Sequence, residues 1–243
     1  MKKIIKKILH HLYERFGQKG HANTDTFFQC LHNIGFKPRH IIDVGAHRGG
    51  WTRSALHYFP EAHYSLFEPQ RDLLESQVDL SKNPKIHFHF IGVGPTSEIK
   101  KITTSHRRDS YSFQWSEDQA RDLGCEQFEV EVIALDEFLS QESNLFPSAD
   151  LVKIDAEGWD LEVLKGAELT ISNSEIVLLE AGIMNKSFKN NAREVINVMF
   201  EKGFILFDIT DLNRTSRDKG LWNVELAFVR KGGKLEQAID RYA

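Results

Sequence analysis

Four short, mainly apolar runs of this chain each end in a carboxylate. Ile41–Ile42 leads to Asp43, Tyr64–Phe67 to Glu68, Leu151–Ile154 to Asp155, and Ile176–Leu179 to Glu180. Segments with helical spacing separate them. This alternation calls for a parallel sheet with helices on both faces. Ligands of such sheets sit at the carboxyl ends of the strands. All four acids are therefore aimed at one edge, which packing explains less readily than it explains any one of them. The expected strands are 40–44, 63–68, 86–93, 151–155, 176–180, 204–210 and 223–230. Helices are expected over about 24–34, from Gly50 to before Pro60, and over 71–80, 136–139, 160–165 and 191–202, the last ending at Gly203 as a C′ glycine. Residues 98–135 are less regular, with one alternating run at Phe128–Ala134.

The first of these strands opens the stretch His40–Trp51, H-I-I-D-V-G-A-H-R-G-G-W. Gly45 and Gly49 let the backbone turn tightly and approach a ligand. A dinucleotide loop rests a pyrophosphate on the helix N-terminus and wants no anion beside it. Asp43 repels a pyrophosphate and suits a ligand carrying an ammonium and a sulfonium, namely S-adenosylmethionine. The spacing also departs from G-x-G-x-x-G, with His47 where the second glycine belongs. Glu68, at the next strand tip before Pro69, is placed to accept hydrogen bonds from both hydroxyls of a ribose.

Composition narrows the classes. The 243 residues fit one domain with some elaboration, and the formal charge of −4 does not suggest a general nucleic-acid binder. Two cysteines, Cys30 and Cys125, make neither a disulfide framework nor a zinc cluster, so a cytoplasmic location is expected. No apolar run approaches the length of a membrane span. Met1–Phe16 is basic and apolar without an h-region or a small-residue cleavage site, and is not expected to be a signal peptide. Its Ile4, Ile5, Ile8, Leu9, Leu12 and Phe16 share one helical face beside Lys2, Lys3, Lys6 and Lys7. That helix is expected to pack on its own domain or on a second subunit in a homodimer. A membrane surface is the alternative for residues 1–16. The expected division is a helical extension over 1–37, a main domain over 38–233 and a tail over 234–243.

A second diagnostic stretch is Leu151–Ala167, L-V-K-I-D-A-E-G-W-D-L-E-V-L-K-G-A. Lys153 and Asp155 share one strand face, Asp155 stands at the tip, and Glu157 and Gly158 form the turn. By spacing alone, these carboxylates serve catalysis or cap the next helix. Together, Asp43-Val-Gly-Ala, Phe67-Glu68-Pro69, Leu135-Asp136, Lys153-Ile-Asp155-Ala-Glu157-Gly158 and Leu164-Lys-Gly166-Ala167 resemble the FkbM family of methyltransferases. The resemblance covers about residues 38–182. The chain departs from the family at Asp160, where Glu is usual, with a bulky Trp159 before it. It also carries His47-Arg48 where Asn is common.

The resemblance implies a Rossmann-like class I methyltransferase fold. This is an α/β architecture with a seven-stranded, mostly parallel sheet, an antiparallel last strand, helices on both faces and extra N-terminal helices. It implies S-adenosylmethionine as methyl donor and usually a hydroxyl as acceptor, here a small natural product or a sugar or glycan precursor. Carried over, Asp43, Gly45, Ala46 and Gly49 face the methionine portion and Glu68, with Pro69, the ribose. Gly92 and Val93 border the adenine, and Asp155 lies near the transferred methyl.

An alcohol needs a base within hydrogen-bond reach, for which Asp155 or Glu157 is expected. Lys153 is expected to pair with Asp155 or stabilise an alkoxide. A divalent metal on Asp155, Glu157 and Glu180 is the alternative way to acidify the hydroxyl. The acceptor is expected to be held by Glu180, by His106, Arg107, Arg108, Tyr111 and Trp115 of an irregular segment that also carries Phe113, and by Arg214, with Arg217 on the same edge. A NAD-dependent Rossmann enzyme, a nucleic-acid methyltransferase and a catalytically inactive binding module remain as competing readings.

Overall fold

The computed structural model describes residues 21–104, 111–141, 148–183, 189–215 and 218–239. In chain order the main elements are α1 (His21–Asn33), β1 (His40–Val44), α2 (Gly50–Tyr58), β2 (His63–Phe67), β3 (Ile86–His89), β4 (Gly92–Val93), β5 (Glu98–Thr104), β6 (Tyr111–Ser112), α3 (Glu117–Asp122), β7 (Gln127–Ile133), α4 (Leu135–Gln141), β8 (Leu151–Ile154), α5 (Asp160–Lys165), α6 (Glu168–Asn173), β9 (Ile176–Gly182), α7 (Ala192–Glu201), β10 (Phe204–Arg214), β11 (Leu221–Arg230) and α8 (Lys234–Ala238). The amphipathic segment 1–16, the residues His106, Arg107 and Arg108, and Arg217 lie outside the described residues.

Seven strands form one sheet in the order β10-β11-β9-β8-β1-β2-β3. The pairs from β3 to β9 are parallel, and β11 runs antiparallel to both β9 and β10. This is the Rossmann-like methyltransferase sheet with its antiparallel last strand. The chain winds outward from β1 to β3, then returns to β8 on the other side of β1. The switch point between β1 and β8 opens a crevice at the strands' carboxyl ends.

Strand alternation divides the core between the two faces. Ile42, Val44, Val152, Ile154, Val177 and Leu179 point into the cluster beneath α4 to α7. Ile41, Leu151, Ile176 and Leu178 point into the other, with Trp51, Ala55 and Tyr64. The helix of the N-terminal extension belongs to this second cluster. Phe27, Phe28 and Leu31 of α1 are fully buried there, each contributing about 1.5–3 kcal/mol by leaving water. Among the described residues no helix is long and apolar enough to cross a membrane.

Three expectations needed correction. The run 86–93 is not one strand: β3 stops at His89, and Gly92–Val93 pairs instead with β7 in a second sheet of order β4-β7-β5-β6. Residues 71–80 form 3-10 turns, Arg71–Gln77 and Leu80–Lys82, rather than an α-helix. Their buried Leu73, Gln77 and Leu80 are spaced like a helical face, which hides the tighter winding. β5 carries one buried isoleucine, Ile102, and one well exposed, Ile99, so no period-2 signal marks it.

Candidate functional site

The parallel register of β1 and β8 sets Asp43 beside Lys153. Both are buried, and Lys153 Nζ lies 3.2 Å from Asp43 Oδ1 and 3.4 Å from Asp155 Oδ2. The ammonium also donates to the Gly45 carbonyl at 3.0 Å. Thr52 of α2 donates to Asp43 Oδ2 at 2.6 Å. Burial works against a charged Lys153, but the charges of Asp43, Asp155 and Glu225 outweigh it and hold its pKa above the ordinary lysine value. These neighbouring carboxylates favour the ammonium form of Lys153.

The loop after β1 folds back on β2. The amides of Gly45 and Ala46 both donate to the Phe67 carbonyl, at 2.9 and 3.1 Å. Gly45 has φ +75°, and a Cβ there would sit 1.8 Å from the Asp155 carbonyl oxygen. Only glycine lets the β1 turn and the β8 tip approach so closely. Glu68 is buried at the tip of β2. It accepts the His47 amide at Oε2 (2.8 Å) and the Gln70 amide at Oε1 (2.9 Å). Burial pushes its pKa up to about 7, against the pull of the two backbone amides. Each oxygen keeps acceptor capacity for a further donor.

These loops wall a cleft that opens to solvent. Gly45, His47, Glu68, Pro69, Gly92, Val93, Tyr111, Asp155 and Glu157 line it. Asp155 is 37 % exposed, so its carboxylate is both anchored by Lys153 and accessible. Glu157 and Gly158 take left-handed backbone, φ 50° and 85°.

Other expected residues stand elsewhere. Asp43 does not line the cleft; its side chain is spent on Lys153 and Thr52. Ala46 is buried in the core. Gly49, with φ +75°, begins α2 against Leu80, where a Cβ would lie 2.3 Å from Leu80 Cδ1. Glu180 is not among the lining residues. It accepts Asn223 Nδ2 at 2.9 Å and faces Glu225 across the β9–β11 ladder. Burial, then the charges of Asp155, Asp160 and Glu157, holds Glu180 well above the usual carboxylate range. Glu225 is likewise pushed to about 7 by burial.

Trp115 turns its carbonyl to the Gln127 amide at 3.1 Å and does not line the cleft. Arg214, exposed, donates to the Lys219 carbonyl within the β10–β11 turn. Its strand lies three sheet positions from β8, roughly 14 Å away. Among the described residues no three His, Cys, Asp or Glu side chains are grouped to hold a metal ion. The set Asp155, Glu157 and Glu180 does not fit one.

Ile91, Gln70 and Ile102 line the cleft without having been expected to, and Phe113 joins them from the irregular segment. Phe113 carried the one usable signal, as the middle of three closely spaced aromatics. Ile102 had none, because β5 itself was hidden.

The family model described as the methyltransferase FkbM domain matches residues 43–206. The chain belongs to this family. It is an S-adenosylmethionine-dependent methyltransferase, which sets aside the NAD reading. Among solved structures, the 1,6-didemethyltoxoflavin-N1-methyltransferase of Burkholderia thailandensis is 10 % identical, with TM-score 0.47, 95 % of this chain and 88 % of that one covered. A precorrin-6y C5,15-methyltransferase from Geobacter metallireducens is 11 % identical, with TM-score 0.46 and coverages of 84 % and 87 %. An O-methyltransferase family protein from Burkholderia thailandensis is 11 % identical, with TM-score 0.44 and coverages of 86 % and 56 %. Among curated proteins none matches this sequence.

The residues present fit the family's cofactor. Gly45 keeps the crevice floor to bare backbone, and Glu68 presents a buried carboxylate with acceptor sites to spare. Gly92, Val93, Ile91 and Phe113 supply an apolar wall suited to a purine.

The other family motifs have structural duties. Asp136 accepts the Leu169 and Thr170 amides, at 2.8 and 2.7 Å, at the start of α6. Gly166 has no room for a side chain, since a Cβ would lie 2.1 Å from the Gly94 carbonyl oxygen. Asp160, the family departure, is buried and accepts Asn190 Nδ2 at 2.9 Å, away from the cleft.

Proposed function

We propose that this methyltransferase acts on a hydroxyl oxygen of a small molecule, a natural product or a sugar or glycan precursor. The observation that carries this reading is Asp155. It is a carboxylate at a strand tip, accessible in the cleft and fixed by a buried ammonium 3.4 Å away. When bound, S-adenosylmethionine supplies a methyl group activated by its sulfonium. Gly45 and Glu68 would hold the cofactor, the latter through its ribose hydroxyls. Asp155 would accept the proton of the acceptor hydroxyl, while the methyl leaves sulfur and S-adenosylhomocysteine is the leaving group. Lys153 keeps Asp155 in one place, and fixed alignment of acceptor and methyl supplies much of the rate. Glu157, on the rim of the same cleft, is the second carboxylate in reach of an acceptor.

Calorimetric titration with S-adenosylhomocysteine should show micromolar binding that Glu68→Ala weakens tenfold or more. Incubation with S-adenosylmethionine and a panel of hydroxylated acceptors should then give a product whose new methyl is placed on oxygen by NMR. Asp155→Asn should lower turnover about 10²–10⁴-fold and leave S-adenosylhomocysteine affinity nearly unchanged. A folded protein that does not bind S-adenosylhomocysteine would sink the cofactor assignment. A methyl on nitrogen or carbon would sink the oxygen assignment alone.

A further inference from the structure

The segment 111–114 alternates in what its side chains do. Tyr111 and Phe113 line the cleft. Ser112, at the end of β6, and Gln114 just after it reach the turn after β8. The Ser112 hydroxyl donates to the Glu157 carbonyl at 3.0 Å and accepts the Gln114 amide at 3.2 Å. The Gln114 side-chain amide donates to the Gly158 carbonyl. These two carbonyls belong to the residues in left-handed conformation, φ 50° and 85°. For Glu157 that conformation costs on the order of 1 kcal/mol and persists only where neighbours hold it.

The same segment is anchored behind. Ser112 and Tyr111 pair with Thr103 and Thr104 of β5. The Gln127 side chain bonds the Trp115 carbonyl at 3.1 Å and the Thr103 hydroxyl at 2.8 Å. Phe113 fills the space that Gly92 leaves, where a Cβ would lie 2.7 Å from its Cζ. Its ring rests against Trp159, 6.2 Å between centroids, and Lys100 lies over Trp159 at 5.1 Å. The bulky Trp159 thus closes the contact that the two hydrogen bonds begin.

We propose that Ser112 and Gln114 are positioning residues that clasp the Glu157–Gly158 turn. They tie the wall carrying Tyr111 and Phe113 to the strand tip carrying Asp155. A molecule seated against Phe113 then feels, and fixes, the place of Glu157. This rests on the cleft being the cofactor site, and the test separates the two ideas. Ser112→Ala and Gln114→Glu each remove one donor, the latter with almost no change of shape; Ser112→Thr keeps the hydroxyl.

Two measurements read the clasp. Peptide-level hydrogen exchange over residues 155–160 reads it without ligand, and stopped-flow tryptophan fluorescence reads S-adenosylhomocysteine dissociation. Faster exchange at the turn and about tenfold faster dissociation are expected for Ser112→Ala and Gln114→Glu. Ser112→Thr should match the parent, and all should unfold near the parent's midpoint. Unchanged exchange and dissociation would overturn the proposal, as would a Ser112→Thr that behaves like Ser112→Ala. Loss of folding in both donor-less variants would also overturn it, by making the contact a piece of the fold. Faster exchange in a protein that binds no S-adenosylhomocysteine would keep the clasp and remove the cofactor reading.

Discussion

Glu68 shows how one side chain links burial to binding. Burial raises its pKa to about 7 even though two backbone amides pull it down. Hydroxyl donors from a ribose favour the charged form, so binding releases a proton. Affinity for S-adenosylhomocysteine is therefore expected to rise between about pH 5.5 and 8. Glu68→Gln, which does not titrate, should bind more weakly and with a flat profile; calorimetry across that range checks both. Without ligand the sign reverses. The folded pKa lies above the unfolded value, so the folded state holds more protons between about pH 4.5 and 7. This group's contribution to stability is full at the low end and fades as pH rises through 7.

Glu68 was legible from its sequence position, because a strand tip followed by proline leaves it little choice. Asp43 was legible as important but not in its role. Its partner Lys153 is 110 residues away, and only the β1–β8 register brings them together.

At the level of elements, most strands of the main sheet were readable as apolar runs bounded by turn residues, but β3 stops at His89 and β10 runs on to Arg214, past the expected 204–210. Of the second sheet only β7 was readable, from the alternating run Phe128–Ala134. β5 mixes charged and apolar residues without a clean alternation, E-I-K-K-I-T-T, and buries little. The strand order of this sheet comes from long-range pairing of β4 with β7 and β7 with β5, and from the pairing of β5 with β6. A helix start at α3 did carry its signal, the Ser116–Gln119 capping box, reciprocal in the structure. The start of α6 has no such local sign. Its cap comes from Asp136, 32 residues before its first residue, with both carboxylate oxygens engaged. Asp136→Ala is expected to cost about 1–2 kcal/mol of stability and to leave S-adenosylhomocysteine affinity unchanged, as read by urea unfolding and calorimetry.

For the whole molecule, the antiparallel β11 lies between β9 and β10. Leu226, Ala227, Phe228 and Val229 of this strand are buried, on both faces of the sheet. A chain stopped before residue 221 is expected to lose cooperative unfolding and to bind hydrophobic dyes, measured by thermal circular dichroism and dye fluorescence. A sharp melt from such a chain would contradict it. The order also bears on biosynthesis. A ribosome delivers β1, β8 and β9 well before the strand that completes them, so the edge of β9 stays open while β10 waits unpaired. Nascent chains of this protein need shelter for as long as it takes to translate the last inserted strand, and pausing late in the message is where aggregation would begin.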